Sequence, residues 1–397
     1  MGKFIVIGSG VSGSTAGLDL AERGHQVEMI EKDSMFGGKI LEYCCKATDS
    51  CSRCGVCVGH TQVYNSLMHG NVMAKSGITI ESASNDGKKV TLQCRQKNPS
   101  IDYKKCNGCD ACVEACPEGC ITKYHRGELV QYAIDYSKCR LHRGEACDKC
   151  VAACAQGAIT GKSDSAGVTF TADGVLVATG HDPFDAEQKP RYSYGQAKNV
   201  FTGTEAEDIL SRSYYLTKKD ERIAFIQCVG SRDPVIGRNY CSGVCCAYAM
   251  RMARIVKYRN PEAEVTIYYI DLQNFDKNFT QFKQELVDLG VRFVRGVPFK
   301  VEELASGKLK LLIENMGDDE DTIVEHDAVV LSVGLGAAAD SPKIAEQFGL
   351  SRDEFGFFTT VKDNVFVSGT CKEPLTIPSS IAAAKATALE MGKYKHE

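Results

Sequence analysis

Cysteine spacing carries the strongest chemical signal in this chain. Cys106, Cys109, Cys112 and Cys116 form a C-x2-C-x2-C-x3-C run followed by Pro117. Cys139, Cys147, Cys150 and Cys154 repeat it, with the first spacer stretched to seven residues and Ala155 in place of the proline. The repeat is wider than its cysteines. Ile101-Asp102-Tyr103-Lys104-Lys105 recurs as Ile134-Asp135-Tyr136-Ser137-Lys138, and both copies run on to Gly-x-Ile-Thr. Cys120 of the first copy matches Ala158 of the second, which reads as a small core position, and His142 in the stretched spacer reads as a solvated loop histidine. Two more sets lie outside the repeat. Cys51, Cys54 and Cys57 form C-x2-C-x2-C, with Cys44 or Cys45 as a fourth member, and Cys228, Cys241, Cys245 and Cys246 form C-x12-C-x3-C-C. Four thiolates suit tetrahedral zinc or an iron–sulfur cubane. The repeated x2-x2-x3 run favours cubanes, while a zinc knuckle remains the alternative for the set nearest the N-terminus. On this reading sixteen of the twenty cysteines serve four [4Fe–4S] clusters.

A second constellation opens the chain. Phe4-Ile5-Val6-Ile7 reads as a buried strand leading into Gly8-Ser9-Gly10-Val11-Ser12-Gly13 and a helix to about Arg23. Gly24 ends that helix, and a second strand over 27–31 closes on Glu31 and Lys32. The three glycines allow a tight turn, close approach to a pyrophosphate, and close packing of helix on strand. The phosphates would meet the unpaired N–H groups of the helix N-terminus, and Glu31 would bond a ribose hydroxyl. The residues over 222–227 read as the first strand of a second unit of this kind. It runs into Cys228-Val229-Gly230-Ser231-Arg232 instead of a glycine fingerprint, with a helix expected over 247–259. A cluster beside that helix N-terminus would occupy the place of a nucleotide phosphate.

Several stretches resemble known families. Gly174 to Gly180, ending Ala178-Thr179-Gly180, is similar to the strand and turn of two-domain flavoprotein reductases, and Val365-Phe366-Val367-Ser368-Gly369 to their last FAD-contacting strand. Thr370 stands where that family usually has an aspartate. The resemblance implies FAD, with Gly38 and Lys39 close to the isoalloxazine. The duplicated run resembles bacterial two-cluster ferredoxins, in which the fourth cysteine of each run ligates the other cluster. That implies one cluster on Cys106, Cys109, Cys112 and Cys154, and another on Cys139, Cys147, Cys150 and Cys116. The chain as a whole is similar to the A subunit of heterodisulfide reductases. The residues that carry this are the C-x12-C-x3-C-C run and Gly369-Thr370-Cys371 followed by Ile377-Pro378. Arg251 stands where many relatives have a lysine near the flavin, and the resemblance also puts Cys371 near it. It implies a flavin electron hub in a multi-subunit complex, bifurcating electrons in some members, with substrate reduction on partner subunits. Ferredoxin or a hydrogenase- or dehydrogenase-type protein would be the donor, and homodimerisation is compatible with it. Two other functions stay open: a self-sufficient NAD(P)H-dependent iron–sulfur flavoprotein, and a zinc-braced FAD scaffold.

The elements that must position these groups alternate strand and helix, so the expected class is α/β. The expected architecture is a two-domain, Rossmann-like, thioredoxin-reductase-like flavoprotein with an inserted ferredoxin-like α+β domain. The FAD domain is expected at 1–95, 163–216 and 346–397, the insert at 96–162, and a degenerate nucleotide domain at 217–345. A net charge of −4 offers no basic footprint for nucleic acid. No apolar run reaches the length of a membrane span, and with a strand opening the sequence at once no signal peptide is expected. A reducing cytoplasm is expected, and there twenty cysteines point to metal or redox chemistry rather than to disulfides.

Overall fold

Phe4 to Ile7 are buried on both sides, as a central parallel strand requires. The computed structural model describes residues 1–161, 167–213, 216, 221–273, 277–315, 322–359 and 364–394. The strand Lys3–Ile7 sits at the middle of a five-stranded parallel sheet in the order Val365–Val367, Gly174–Val177, Lys3–Ile7, Gln26–Ile30, Val72–Lys75. One face packs on the helices Val11–Glu22 and Ile377–Lys393 through Ala16, Leu20, Ala384, Ala388 and Met391. The other face is covered by an antiparallel sheet of Gly167–Ala172, Val90–Gln96 and Ile78–Asn85, and by the helix Ser341–Phe348.

A second sheet has seven strands in the order Val200–Thr202, Ala328–Val333, Arg222–Val229, Glu264–Tyr269, Val291–Glu303, Leu309–Asn315, Thr322–His326. The first five are parallel and the last two pairings antiparallel. Two sequence boundaries shift. The strand Val200–Thr202 and the helix Gly203–Arg212 belong with the second sheet, because Ala206 and Leu210 enter its core. The helix Ser341–Phe348 belongs with the first, because Ile344 and Phe348 pack on Ile78 and Val90. The crossing between the two units is the antiparallel pair His181–Pro183 with Leu335–Ala337.

Between Gln96 and Gly167 lie two short strand pairs, Ser100–Ile101 with Ile159–Thr160 and Ile121–Arg126 with Leu129–Ile134. Two single-turn helices, Ala111–Glu114 and Lys149–Ala152, accompany them. This segment shares one apolar core with the helix Val56–Met68, joining Val63 and Leu67 to Ile101, Tyr103 and Tyr132. The fully buried Gln131 amide fastens it further, accepting from Phe36 N–H at 2.7 Å and donating to Phe36 C=O at 2.6 Å. Among the described residues no helix is long and apolar enough to cross a membrane.

Candidate functional site

The turn after Lys3–Ile7 shows why glycine is needed there. Gly8 has φ +93°, and a Cβ on it would lie 2.4 Å from the Ala178 carbonyl oxygen. A Cβ on Gly13 would lie 1.9 Å from the Gly8 carbonyl oxygen, so the helix Val11–Glu22 can lie this close to the turn only without one. Gly369, φ +84°, approaches from the opposite side, where a Cβ would meet Ser12 Oγ at 2.1 Å. These contacts bring strand ends from distant parts of the chain around one cavity of about 970 Å³. Gly8, Gly10, Ser12, Glu31, Lys32, Gly38, Lys39, Ala178, Thr179, Gly180, Thr370 and Ile377 all line it. Gly13 and Gly369 stand behind the lining as close-packing positions.

Glu31 lies just past the strand Gln26–Ile30 and is nearly fully buried, which pushes its carboxyl up. Its Oε2 accepts from Ser9 N–H at 2.9 Å and from Ser9 Oγ at 2.6 Å, while Oε1 accepts from Asp33 N–H at 3.1 Å. The acid therefore ties the glycine turn to the second strand as well as facing the cavity. Lys32 pairs with Asp340 at 3.0 Å, and Lys39 with Glu42 at 3.0 Å. Thr370 Oγ1 is 2.9 Å from His181 Nδ1, and burial, with Lys39 nearby, pushes that histidine down to about 4. Ser368 Oγ, buried in the lining, has no hydrogen-bond partner. These residues fit a dinucleotide: its phosphates would meet first-turn N–H groups that lack intrahelical partners, and its hydroxyls could satisfy such orphan groups. Cys371 lies in the apolar core behind the strand Gly174–Val177, where burial pushes its thiol up to about 11; it is absent from the cavity lining.

The cysteines group by mutual electrostatic influence. Burial pushes Cys112 up to about 11, reinforced by Cys106, Cys109 and Cys154. Burial likewise pushes Cys150 up to about 11, reinforced by Cys139, Cys116 and Cys147. Cys228 is pushed up to about 12 by burial, then by Cys246 and Cys241, and Cys245 is pushed well above the ordinary range by burial and by Cys228, Cys246 and Cys241. In each set, then, buried thiols resist ionising beside their neighbours without a cation, and a metal centre neutralises such a donor set. Among the described residues no three Cys, His, Asp or Glu side chains close around a single point as ligands of one ion would.

The helix predicted over 247–259 runs Cys245–Arg259, so Cys245 and Cys246 occupy its first turn. The excursion from Cys228 to Cys245 starts at a break in strand register, where Cys228 takes φ +60°. Arg232 on Asp271, Lys189 on Asp233, and Ser242 Oγ accepting from Leu335 N–H at 2.9 Å pin it. Gln227 alternates with Ile223 and Phe225, which pack on that helix, and its buried side-chain amide has no partner at either end. Such an orphan donor beside Cys228 suits a sulfide-bearing cluster.

The remaining run is arranged differently. Cys45, Cys51 and Cys57 are exposed, Cys54 is half-buried and lines the cavity, and Cys44 packs in the core of the second sheet. His142 is exposed, 3.2 Å from the Asn98 carbonyl, as a loop histidine would be. Arg126 links the run to the inserted segment by bonding the Tyr43 carbonyl and His60 Nε2.

One pair in the lining was invisible in the sequence. Lys46 and Glu207, both almost fully buried, meet at 2.6 Å, and Glu207 also accepts from Cys44 N–H at 3.0 Å. They come from loop and helix 161 residues apart, and no local pattern links them. Glu207→Ala leaves a buried ammonium unpaired and is expected to cost ~3–5 kcal/mol. Urea unfolding will measure it, and Lys46→Met/Glu207→Leu should recover most of the loss.

Comparison with known proteins completes the picture. Residues 2–388 match the pyridine nucleotide-disulphide oxidoreductase family. The chain is 33% identical to the second iron-sulfur A subunit of the CoB--CoM heterodisulfide reductase of Methanopyrus kandleri, over 100% of this chain and 65% of that protein. It is 30% identical to the A subunit of the H(2):CoB-CoM heterodisulfide,ferredoxin reductase of Methanothermobacter thermautotrophicus, over 97% and 63%. It therefore spans just under two thirds of the length of these relatives. In fold it is similar to the thioredoxin reductase of Lactococcus lactis, with a TM-score of 0.56 at 14% identity and 99% of each chain covered. Sequence match and fold agree: the chain belongs to the pyridine nucleotide-disulphide oxidoreductase family, with a thioredoxin-reductase-like fold and its sequence relatives among heterodisulfide reductase A subunits.

Proposed function

We propose that this chain is a flavin electron hub. It binds FAD in the large cavity, holds four [4Fe–4S] clusters on its thiol sets, and exchanges electrons with partner subunits of a heterodisulfide-reductase-like complex. One observation carries the reading: the cavity shares walls with two of the thiol sets. The helix that begins on Cys245 and Cys246 contributes Ala247, Tyr248 and Arg251 to the cavity, and Cys54 lines it from the other side.

FAD takes up two electrons and releases them singly, and each cluster carries one. The residues supply placement. Gly8, Gly10 and Ser12 hold the pyrophosphate, with Gly13 letting the helix pack close behind them, and Glu31 and Lys32 hold the ribose side. Gly38, Lys39, Ala178, Thr179, Gly180, Thr370 and Ile377 enclose the rest, with Gly369 packed behind them. The inserted segment over 96–162 acts as a two-cluster ferredoxin. Its two clusters sit on Cys106, Cys109, Cys112 and Cys154, and on Cys139, Cys147, Cys150 and Cys116. A third sits on Cys228, Cys241, Cys245 and Cys246, and a fourth on Cys51, Cys54 and Cys57. For its last ligand Cys45 is the better candidate, because it is exposed like Cys51 and Cys57 while Cys44 is committed to a core. That exposed run is where electrons from ferredoxin or a hydrogenase-type donor would enter. Arg251 Nε donates to the Ser52 carbonyl at 3.0 Å, so it braces this run from the cavity side.

Anaerobically purified protein should carry about sixteen iron and sixteen sulfide per FAD, from four cubanes. NADPH alone should leave its visible spectrum unbleached, since cysteines replace the second nucleotide fingerprint. Rapid bleaching by NADPH would favour a self-sufficient reductase, and zinc without iron would favour the braced scaffold.

A further inference from the structure

The two copies of the ferredoxin-like run differ at the position that follows the last glycine of each, Cys120 in the first and Ala158 in the second. In the second copy, Ala158 N–H donates to Cys154 Sγ at 3.3 Å, in a turn closed by Gly157 N–H on the Cys154 carbonyl at 2.9 Å. The first copy builds the same turn, with Gly119 N–H on the Cys116 carbonyl at 3.2 Å and Gly119 at φ +56° against +58° for Gly157. The next residue, however, is Cys120. Its Sγ lies 3.4 Å from Cys116 Sγ. It is buried, so it lies beside the Cys116 thiol and is shielded from solvent. Sequence alignment of the copies made it a packing position. The geometry makes it a fifth sulfur at a four-sulfur site.

We propose that Cys120 is a reserve ligand for the cluster on Cys116, Cys139, Cys147 and Cys150. This rests on the reading that these four thiols hold a cluster. While Cys116 is bound, the Cys120 S–H is positioned to donate to it. When Cys116 is lost or released, Cys120 takes its iron. The exchange is not a redox step. The iron–sulfur bond to Cys116 breaks, its thiolate takes up the proton that Cys120 gives up, and the Cys120 thiolate bonds the same iron. An apolar residue there, as at Ala158, has no such capacity, so the other ferredoxin-like cluster lacks a reserve.

The test is iron and acid-labile sulfide in anaerobically reconstituted full chains, with electron paramagnetic resonance of the reduced clusters. Wild type and Cys116→Ala are both expected to hold about sixteen iron, whereas Cys116→Ala/Cys120→Ala and Cys154→Ala hold about twelve. The rebuilt cluster of Cys116→Ala should show a changed resonance. Cys120→Ala should hold a full complement but release its first four irons to a chelator several-fold faster than wild type. Loss of four irons in Cys116→Ala alone, or unchanged release from Cys120→Ala, overturns the proposal while leaving the clusters intact. Wild-type protein without iron overturns the cluster reading itself.

Discussion

Cys154→Ala is expected to remove the cluster of Cys106, Cys109 and Cys112, not that of its own sequence neighbours Cys147 and Cys150. The physical reason is the antiparallel closure of the inserted segment. Its first strand, Ser100–Ile101, pairs with its last, Ile159–Thr160, which returns the end of the second cysteine run to the start of the first. The hairpin of Ile121–Arg126 with Leu129–Ile134 likewise returns the end of the first run to the start of the second, through Asp135 N–H on the Cys120 carbonyl at 2.8 Å. Double variants separate this from the uncrossed arrangement. Cys112→Ala/Cys154→Ala disables one site and should retain about twelve iron, and Cys150→Ala/Cys154→Ala disables two and should retain about eight. The opposite pattern would falsify the crossing.

Gly8→Ala is expected to lower flavin retention at least about tenfold. The strained φ costs about 1–3 kcal/mol of stability for a residue with a side chain, and each 1.4 kcal/mol by which a distorted cavity binds less well is a factor of ten. The larger problem is the clash with the Ala178 carbonyl. That carbonyl cannot retreat, because Ile7 and Val177 are paired neighbours in the parallel sheet. The strands must part where Gly8, Ala178 and Thr179 meet the cavity. Gly24→Ala is the control. Gly24 has φ +88° but open space around its Cα, so it carries the backbone strain without the clash, far from the cavity. Flavin absorbance per protein after desalting decides between them, and equal loss in both variants would reduce the role of Gly8 to stability.

What the linear chain determined is the local chemistry. The glycine fingerprint, the strand before it and the helix after it lie within a single βα unit, where hydrophobic runs and turn residues act on near neighbours. The cysteine runs were legible as runs for the same reason: C-x2-C spacing is a short-range pattern. Tertiary structure decided what needed long-range packing. The assignment of residues 200–212 to the second sheet follows from a strand pairing across more than a hundred residues, and that of the helix Ser341–Phe348 from a shared core. The Lys46–Glu207 pair exists only because two units meet over one cavity. The motif at Cys371 left flavin contact and packing both open, and only the folded chain shows its side chain in an apolar layer, because spacing along the chain says nothing about which side of a strand end faces the cavity. Cys120 is the sharpest case. Alignment with Ala158 made it ordinary, and only a folded turn could bring its sulfur beside Cys116.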